Sequence, residues 1–119
     1  MPVLGAVNKV VTTYVRAEIV KWVSDDFPGI VECRFADRFG REWVVVEKLP
    51  ILTDGDLRSN SRLPQPALIA CEVLEGGQDD AGREITHVTI KTPLAIEATD
   101  GTTSFQLYAE QLQYGPNDT

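Results

Sequence analysis

The chain has 119 residues, of which 43% are apolar and 24% are charged, a composition that is typical of a globular protein and excludes a disordered chain. Its net charge of −7 is uneven, because residues 63–119 hold nine acidic and two basic side chains, whereas residues 1–62 hold nine of each. Since an acidic surface repels phosphate, this balance disfavours nucleic-acid binding and favours a basic protein partner.

The beginning of the chain fits two kinds of secondary structure. Apolar residues between Val3 and Val23 follow helical spacing, but many of them are valine or isoleucine, which lose rotamer freedom in a helix. We predict a strand from Val10 to Val23, while residues 3–14 stay open between strand and helix. Residues 24–29 are rich in aspartate, proline and glycine and predict a turn into the next strand.

The next two segments have the pattern of strands. In residues 30–37, Val31, Cys33 and Phe35 alternate with polar or small residues, so one face of the strand is apolar. Residues 41–48 contain the run from Trp43 to Val46, which is apolar on both faces. This run predicts a strand in the middle of the sheet, or one that crosses from one face to the other.

Two stretches of the chain share one pattern, DRFGRE at Asp37 to Glu42 and DDAGRE at Asp79 to Glu84. An aspartate that opens a four-residue loop bonds its own backbone, and a glycine in fourth place accepts the positive φ of a type I turn with a bulge. Because each stretch lies between strand-like runs, we interpret both as hairpin turns and not as halves of a catalytic site. Asp100-Gly101 predicts a two-residue hairpin that joins residues 94–99 to residues 102–108.

The remaining segments complete an all-β pattern. Residues 49–66 contain three prolines and predict a long loop with one short helical turn, and residues 115–119 predict a frayed tail. Further strands are predicted at residues 68–74 and 85–90. We therefore expect a single all-β domain over residues 1–119, with six or seven strands in a small antiparallel barrel or a two-layer sandwich; an OB-like barrel also fits.

Few residues suggest chemistry. His87 is the only histidine, and strand alternation predicts that it faces solvent. Cys33 and Cys71 lie in apolar alternations, so we expect buried, unpaired thiols that fill the core. Asp54-Gly55-Asp56 and Asn60 offer oxygen ligands in a loop but lack the spacing of an EF-hand calcium site. We predict no catalytic residue, no metal site and no cofactor.

The surface offers the leading functional hypothesis, a protein-interaction module. The stretch from Leu57 to Ile69 carries arginines, amides and rigid prolines, which lower the entropy lost on docking. We predict that a protein partner contacts Arg58, Asn60, Arg62 and Gln65. An immunity or antitoxin-like protein that meets a basic toxin would be one such case. The structural alternatives are a proline-stiffened crossover loop and an acidic surface that serves solubility alone.

Two other functions stay open. The first is a small-molecule or oligosaccharide site inside a barrel, where Trp22, Trp43 or Tyr108 would supply a flat contact face. The second is an enzyme that uses scattered carboxylates. The sequence indicates no oligomeric state, and no run of about 18 apolar residues predicts a membrane span.

Four short motifs resemble small bacterial proteins with no assigned function. They are PheProGly at residues 27–29, GluLysLeuPro at residues 47–50, ProGlnPro at residues 64–66 and CysGluVal at residues 71–73, and the likeness covers Arg16 to Leu112. The resemblance implies a bacterial source and brings no catalytic residues to transfer. With a beginning that does not fit a secretory signal and two cysteines without CxxC spacing, the expected location is the cytoplasm.

Overall fold

The computed structural model describes residues 12–115 and confirms an all-β fold. The only helices in this range are a four-residue α-helix, α1 (Leu49–Leu52), and a 3-10 turn at Ala109–Gln111. The seven strands are β1 (Thr13–Ser24), β2 (Ile30–Ala36), β3 (Glu42–Lys48), β4 (Gln65–Gln78), β5 (Glu84–Thr89), β6 (Ser104–Tyr108) and β7 (Leu112–Tyr114).

All strands pair antiparallel in one sheet that curls into a half-barrel. The order is β3-β2-β1-β4-β5-β6, and β7 pairs the first residues of β1. The two ends of this order approach each other, since the Arg38 N–H donates to the Gln106 carbonyl and the Thr99 N–H to the Val44 carbonyl, both at 2.9 Å. Of the two predicted architectures, the barrel is therefore the correct one.

A β-bulge in β1 explains why residues 15–22 fitted both strand and helical spacing. Val15, Ala17 and Ile19 alternate into the core, and the register against β2 then shifts between Ile19 and Lys21. After this shift, Trp22 packs against the core. One inserted residue changes the spacing of apolar positions from even to odd, which imitates helical spacing. The predicted strand is confirmed from residue 13; residues 3–11 lie outside the described range.

Strand β3 is not in the middle of the sheet, and that part of the prediction is wrong. It lies at one end of the strand order, Val45 is its only fully buried residue, and Val46 is 41% exposed. Trp43 and Val45 face inward, whereas Val44 and Val46 face outward opposite Arg34 and Glu32. Valine favours strands even at half-exposed positions, so the apolar run reflected strand propensity and not burial on both faces.

The two DxxGRE stretches are hairpin turns, as predicted. In the first, the Gly40 N–H donates to the Asp37 carbonyl and the Asp37 N–H to the Arg41 carbonyl, both at 3.0 Å. The second repeats both bonds between Gly82, Asp79 and Arg83 at 2.9 Å. Each glycine has a positive φ, 81° at Gly40 and 84° at Gly82.

The predicted strand at residues 94–99 is wrong. These residues form turns and irregular backbone, and β6 begins only at Ser104. Ile96 and Ala98 are nevertheless buried, because the segment folds over the core as a loop, and this burial produced the alternation. The turn at Asp100-Gly101 exists, but it closes from Ala98 to Thr102, so Gly101 is its fourth residue. It is a third copy of the four-residue turn.

The segment predicted as a long loop from residue 49 to residue 66 begins with α1 and ends where β4 starts at Gln65. Leu49 and Leu52 of the helix are buried in the core cluster. The Leu49 N–H donates to the Gly29 carbonyl at 2.9 Å. Helix α1 is therefore fixed to the turn between β1 and β2, and both surfaces described below border on it.

Candidate functional site

Asp37 ties its turn to an aromatic ring. One carboxylate oxygen, Oδ1, accepts the N–H groups of Phe39 at 2.9 Å and Arg41 at 3.0 Å. The other, Oδ2, accepts the indole N–H of Trp43 at 2.9 Å. The Arg41 guanidinium stacks over the same indole, 4.0 Å from its centroid. Asp37 itself is buried, so its three bonds satisfy a charge held away from water.

Asp79 repeats this arrangement in the second turn. It accepts the N–H groups of Ala81 and Arg83 and the hydroxyl of Tyr108, each at 2.9 Å, and Arg83 stacks 3.6 Å from the centre of the tyrosine ring. The Arg83 N–H, helped by the Tyr108 hydroxyl, holds the pKa of Asp79 below its ordinary value. Each turn thus fixes one aromatic residue, and the repeated motif is structural.

The three aromatic residues predicted for a ligand face all make contacts within the protein. Trp43 also packs against Phe105 with ring centroids 4.9 Å apart, and Tyr108 is held by Asp79. Trp22 packs beneath Gly29, where a Cβ atom would lie 3.0 Å from the indole. Its indole N–H is buried without a hydrogen-bond partner. None of the three lines the groove described below.

Both cysteines are buried and free, as predicted. Burial raises the pKa of each thiol to about 12, and Glu32 and Glu47 add to this effect at Cys33. A disulfide between them is excluded by topology, because β2 and β4 lie on opposite sides of β1. These thiols are therefore core residues and poor nucleophiles.

His87 lies half-buried on the outward face of β5, between Glu75 of β4 and Gln106 of β6. Its neighbours Thr86 and Val88 face the core, which confirms the predicted orientation. No hydrogen bond orients the imidazole ring within the described part of the chain, so it lacks the positioned carboxylate that a general base needs.

The predicted partner-binding residues lie in and just after the loop that follows α1. The Arg58 N–H donates to the Ser61 hydroxyl at 2.9 Å, and its guanidinium pairs with Asp56 at 3.4 Å. The Gln65 amide donates to the Arg62 carbonyl at 2.8 Å. Asn60 and Arg62 are exposed. Their role in binding stays a prediction.

Across residues 12–115, no group of three or more histidine, cysteine, aspartate or glutamate side chains is arranged to hold a metal ion. The same range contains no helix that is long and apolar enough to cross a bilayer.

A groove of about 690 Å³ lies over β1 and β4, and we call it the β1–β4 groove. Its floor is the outward face of β1 and β4, where Tyr14 lies opposite Ala70 and Arg16 opposite Leu68. Its walls include α1 with the two residues that follow it, and Pro93 and Leu94. Its volume lies in the range of small-molecule sites, and most of its lining is apolar.

The groove contains a small set of charges. Among the described residues that line it, Arg16 is the only cation, and Glu18 and Asp54 are the only anions. The Arg16 Nε donates to the Leu112 carbonyl at 3.1 Å. This bond orients the guanidinium, and no other residue of the described range 12–115 bonds its Nη groups, which suit a carboxylate.

The second notable feature is the turn at residues 24–29, which we call the Phe27 turn. Phe27 is 98% exposed and is the most exposed large apolar side chain in the described range. The neighbouring Asp25 and Asp26 are also exposed. The base of the turn is ordered, because the Gly29 N–H donates to the Asp26 carbonyl at 2.6 Å and the Asp26 N–H to the Ser24 hydroxyl at 3.1 Å.

The chain matches no protein-family model, no curated protein and no solved structure. The resemblance to small bacterial proteins therefore stays a prediction.

Proposed function

We propose that the protein is a non-enzymatic interaction module that inserts Phe27 into an apolar socket on a basic protein partner. The observation that carries this proposal is the 98% exposure of Phe27. This ring follows Asp25 and Asp26 directly, and the bond from the Gly29 N–H to the Asp26 carbonyl holds the turn around it. A buried phenylalanine contributes about 1.5 to 3 kcal/mol relative to an exposed one. An exposed one therefore has a large free energy to gain on docking.

The structure of the turn suits this role. Aromatic side chains that enter a desolvated pocket are the typical energetic centres of protein interfaces. The bonds from Gly29 to Asp26 and from Leu49 to Gly29 hold the base of the turn against α1. Less conformational entropy is then lost on binding than from a free loop.

The charges around Phe27 indicate the kind of partner. Asp25 and Asp26 carry two negative charges beside the ring, and the whole chain has a net charge of −7. These charges raise the association rate with a basic protein. The same charges disfavour an anionic membrane surface, which attracts basic segments.

Photo-crosslinking tests this proposal directly. A benzophenone-bearing phenylalanine analogue replaces Phe27 in the full chain, and a matched protein carries it at Phe39, which is also exposed, at 66%, on another turn. In a lysate of the organism that encodes the protein, we expect one discrete adduct from position 27 and none from position 39. The combined change Asp25→Lys and Asp26→Lys should abolish that adduct.

Purified partner then gives the quantitative test. Phe27→Ala should weaken binding at least tenfold, whereas Phe39→Ala should change it less than twofold. Equal adducts from both positions, or unchanged affinity of the Phe27→Ala protein, would refute the proposal. The double variant Arg58→Glu and Arg62→Glu tests the predicted loop contact. This loop follows α1, and α1 is bonded to the Phe27 turn.

An immunity or antitoxin-like protein is one form of this function, since it would meet a basic toxin with an acidic surface. We also propose a bacterial cytoplasmic location, which rests on the four short motifs that resemble small bacterial proteins. A second candidate function, small-molecule binding, is favoured by a separate observation, the β1–β4 groove.

A further inference from the structure

We propose that the β1–β4 groove binds a short apolar peptide of about two residues by both of its charged ends. Arg16 receives the terminal carboxylate, and Glu18 receives the terminal ammonium. The apolar side chains lie between the floor on β4 and the walls at Ile51 and Leu94. This inference is independent of the Phe27 turn.

The charges of the groove select a zwitterion over a simple anion or cation. Arg16 offers a guanidinium whose Nε is already held by the Leu112 carbonyl, and such a fixed group suits a bidentate contact with a carboxylate. Glu18 and Asp54 add two negative charges, so a simple carboxylate would meet repulsion as well as attraction. A zwitterion has no net charge and satisfies both signs.

The spacing of these charges sets the length of the ligand. Arg16 and Glu18 are two residues apart on β1 and face the same side of the sheet, so their backbones are separated by roughly 7 Å. Two extended peptide residues also span about 7 Å. The ligand would therefore run antiparallel to β1, with its carboxyl end at Arg16 and its amino end at Glu18.

The walls set the chemistry of the side chains. Tyr14, Leu68 and Ala70 lie beside Arg16 on the paired strands, and Ile51 and Leu94 also line the groove. These are aliphatic and aromatic surfaces, which bury apolar side chains favourably. A dipeptide such as phenylalanyl-leucine fits this combination of apolar walls and paired charges.

Four forms of one dipeptide test the proposal by calorimetry or by amide chemical-shift titration. The probes are phenylalanyl-leucine itself, its N-acetyl form, its C-terminal amide and the doubly blocked form. We expect the free dipeptide to bind at least tenfold more tightly than either singly blocked form, with the doubly blocked form weakest.

Two substitutions assign each end. Arg16→Gln should remove the difference between the free dipeptide and its amide and keep the difference from the acetylated form. Glu18→Gln should do the opposite. Arg83→Gln is the matched control, because Arg83 is exposed and pairs with Glu110, and neither residue lines the groove.

Thermal melts check that each variant is folded, and a folded variant that keeps both differences would overturn the assigned contacts. Equal affinity of all four forms, or no saturable binding of the free dipeptide, would overturn the proposal as a whole. Neither outcome involves Phe27, so failure here is distinguishable from failure of the protein-binding proposal.

Discussion

Replacing Asp37 with asparagine tests how much stability one buried carboxylate gives the half-barrel. Asp37 is 7% exposed and accepts three N–H groups. Asparagine keeps an oxygen that can accept the turn N–H groups of Phe39 and Arg41. Its NH₂ group then takes the place of the oxygen that accepts the Trp43 indole N–H at 2.9 Å. The substitution therefore places two donors face to face.

The magnitude follows from the bond that is lost. A hydrogen bond to a charged acceptor contributes about 1.5 to 3 kcal/mol, and a buried donor left without a partner costs a similar amount. We expect Asp37→Asn to lower the free energy of unfolding by about 2 kcal/mol. In a chain of this size, each kcal/mol lowers Tm by about 4 °C, so the melting point should fall by about 8 °C.

Urea unfolding followed by circular dichroism measures this loss, and a double-mutant cycle assigns it. Trp43→Phe removes the indole N–H, so Asp37→Asn should cost about 1 to 2 kcal/mol less in that background. Asp80→Asn is the control, because Asp80 is exposed in the second turn. Its free energy of unfolding should stay within about 0.5 kcal/mol of that of the wild type. A loss below about 0.5 kcal/mol, or no coupling with Trp43→Phe, would refute this account of the turn.

Three further outcomes are expected. Gly40→Val should cost about 1 to 2 kcal/mol through backbone strain, since φ is 81° and, apart from its two chain neighbours, no residue comes within 4 Å of the added Cβ. An unchanged urea midpoint would contradict the turn. The unfolded chain ionises its thiols near pH 8.5, whereas burial raises the pKa of Cys33 and Cys71 to about 12, so stability should fall as pH rises above about 8.5. The double alanine variant should lose that alkaline slope, and rapid native-state alkylation of either thiol would argue against burial. The Arg83 N–H is the chief cause of the lowered pKa of Asp79. The contribution of Asp79 to folding stability is therefore present above about pH 4 and is lost as pH falls through the lowered pKa. An Asp79→Asn protein whose stability falls with acid as steeply as that of the wild type would disprove this.

Most of the fold could be predicted because two signals act over short distances in the sequence. Alternation at Val31, Cys33 and Phe35 requires only that one face of a strand meets the core. The DxxG turns require only a local aspartate bond and a glycine with positive φ, and both copies have them.

Two predictions were wrong, the central position of β3 and the strand at residues 94–99, because the same residue pattern is compatible with two structures. Valine favours both strands and cores, so Val44 and Val46 suggested a buried strand although they face outward. Ile96 and Ala98 are buried at alternate positions because a loop covers the core. Alternation alone does not show whether the backbone forms hydrogen bonds with a neighbouring strand. Both outcomes depend on neighbours that are distant in the sequence, which no local pattern contains.

Arg58 and Arg62 were predicted as contacts because they lie in a polar loop. In the structure, however, Arg58 already pairs with Asp56 of the same loop. Arg16 is the more informative cation. It stands on an outward strand position, and its only bond among the described residues is to a carbonyl, that of Leu112. Strand alternation gave a signal for it, since a charge flanked by Val15 and Ala17 must face away from the core. Its apolar surroundings come from α1, β4 and residues 93–94, which only the topology brings together.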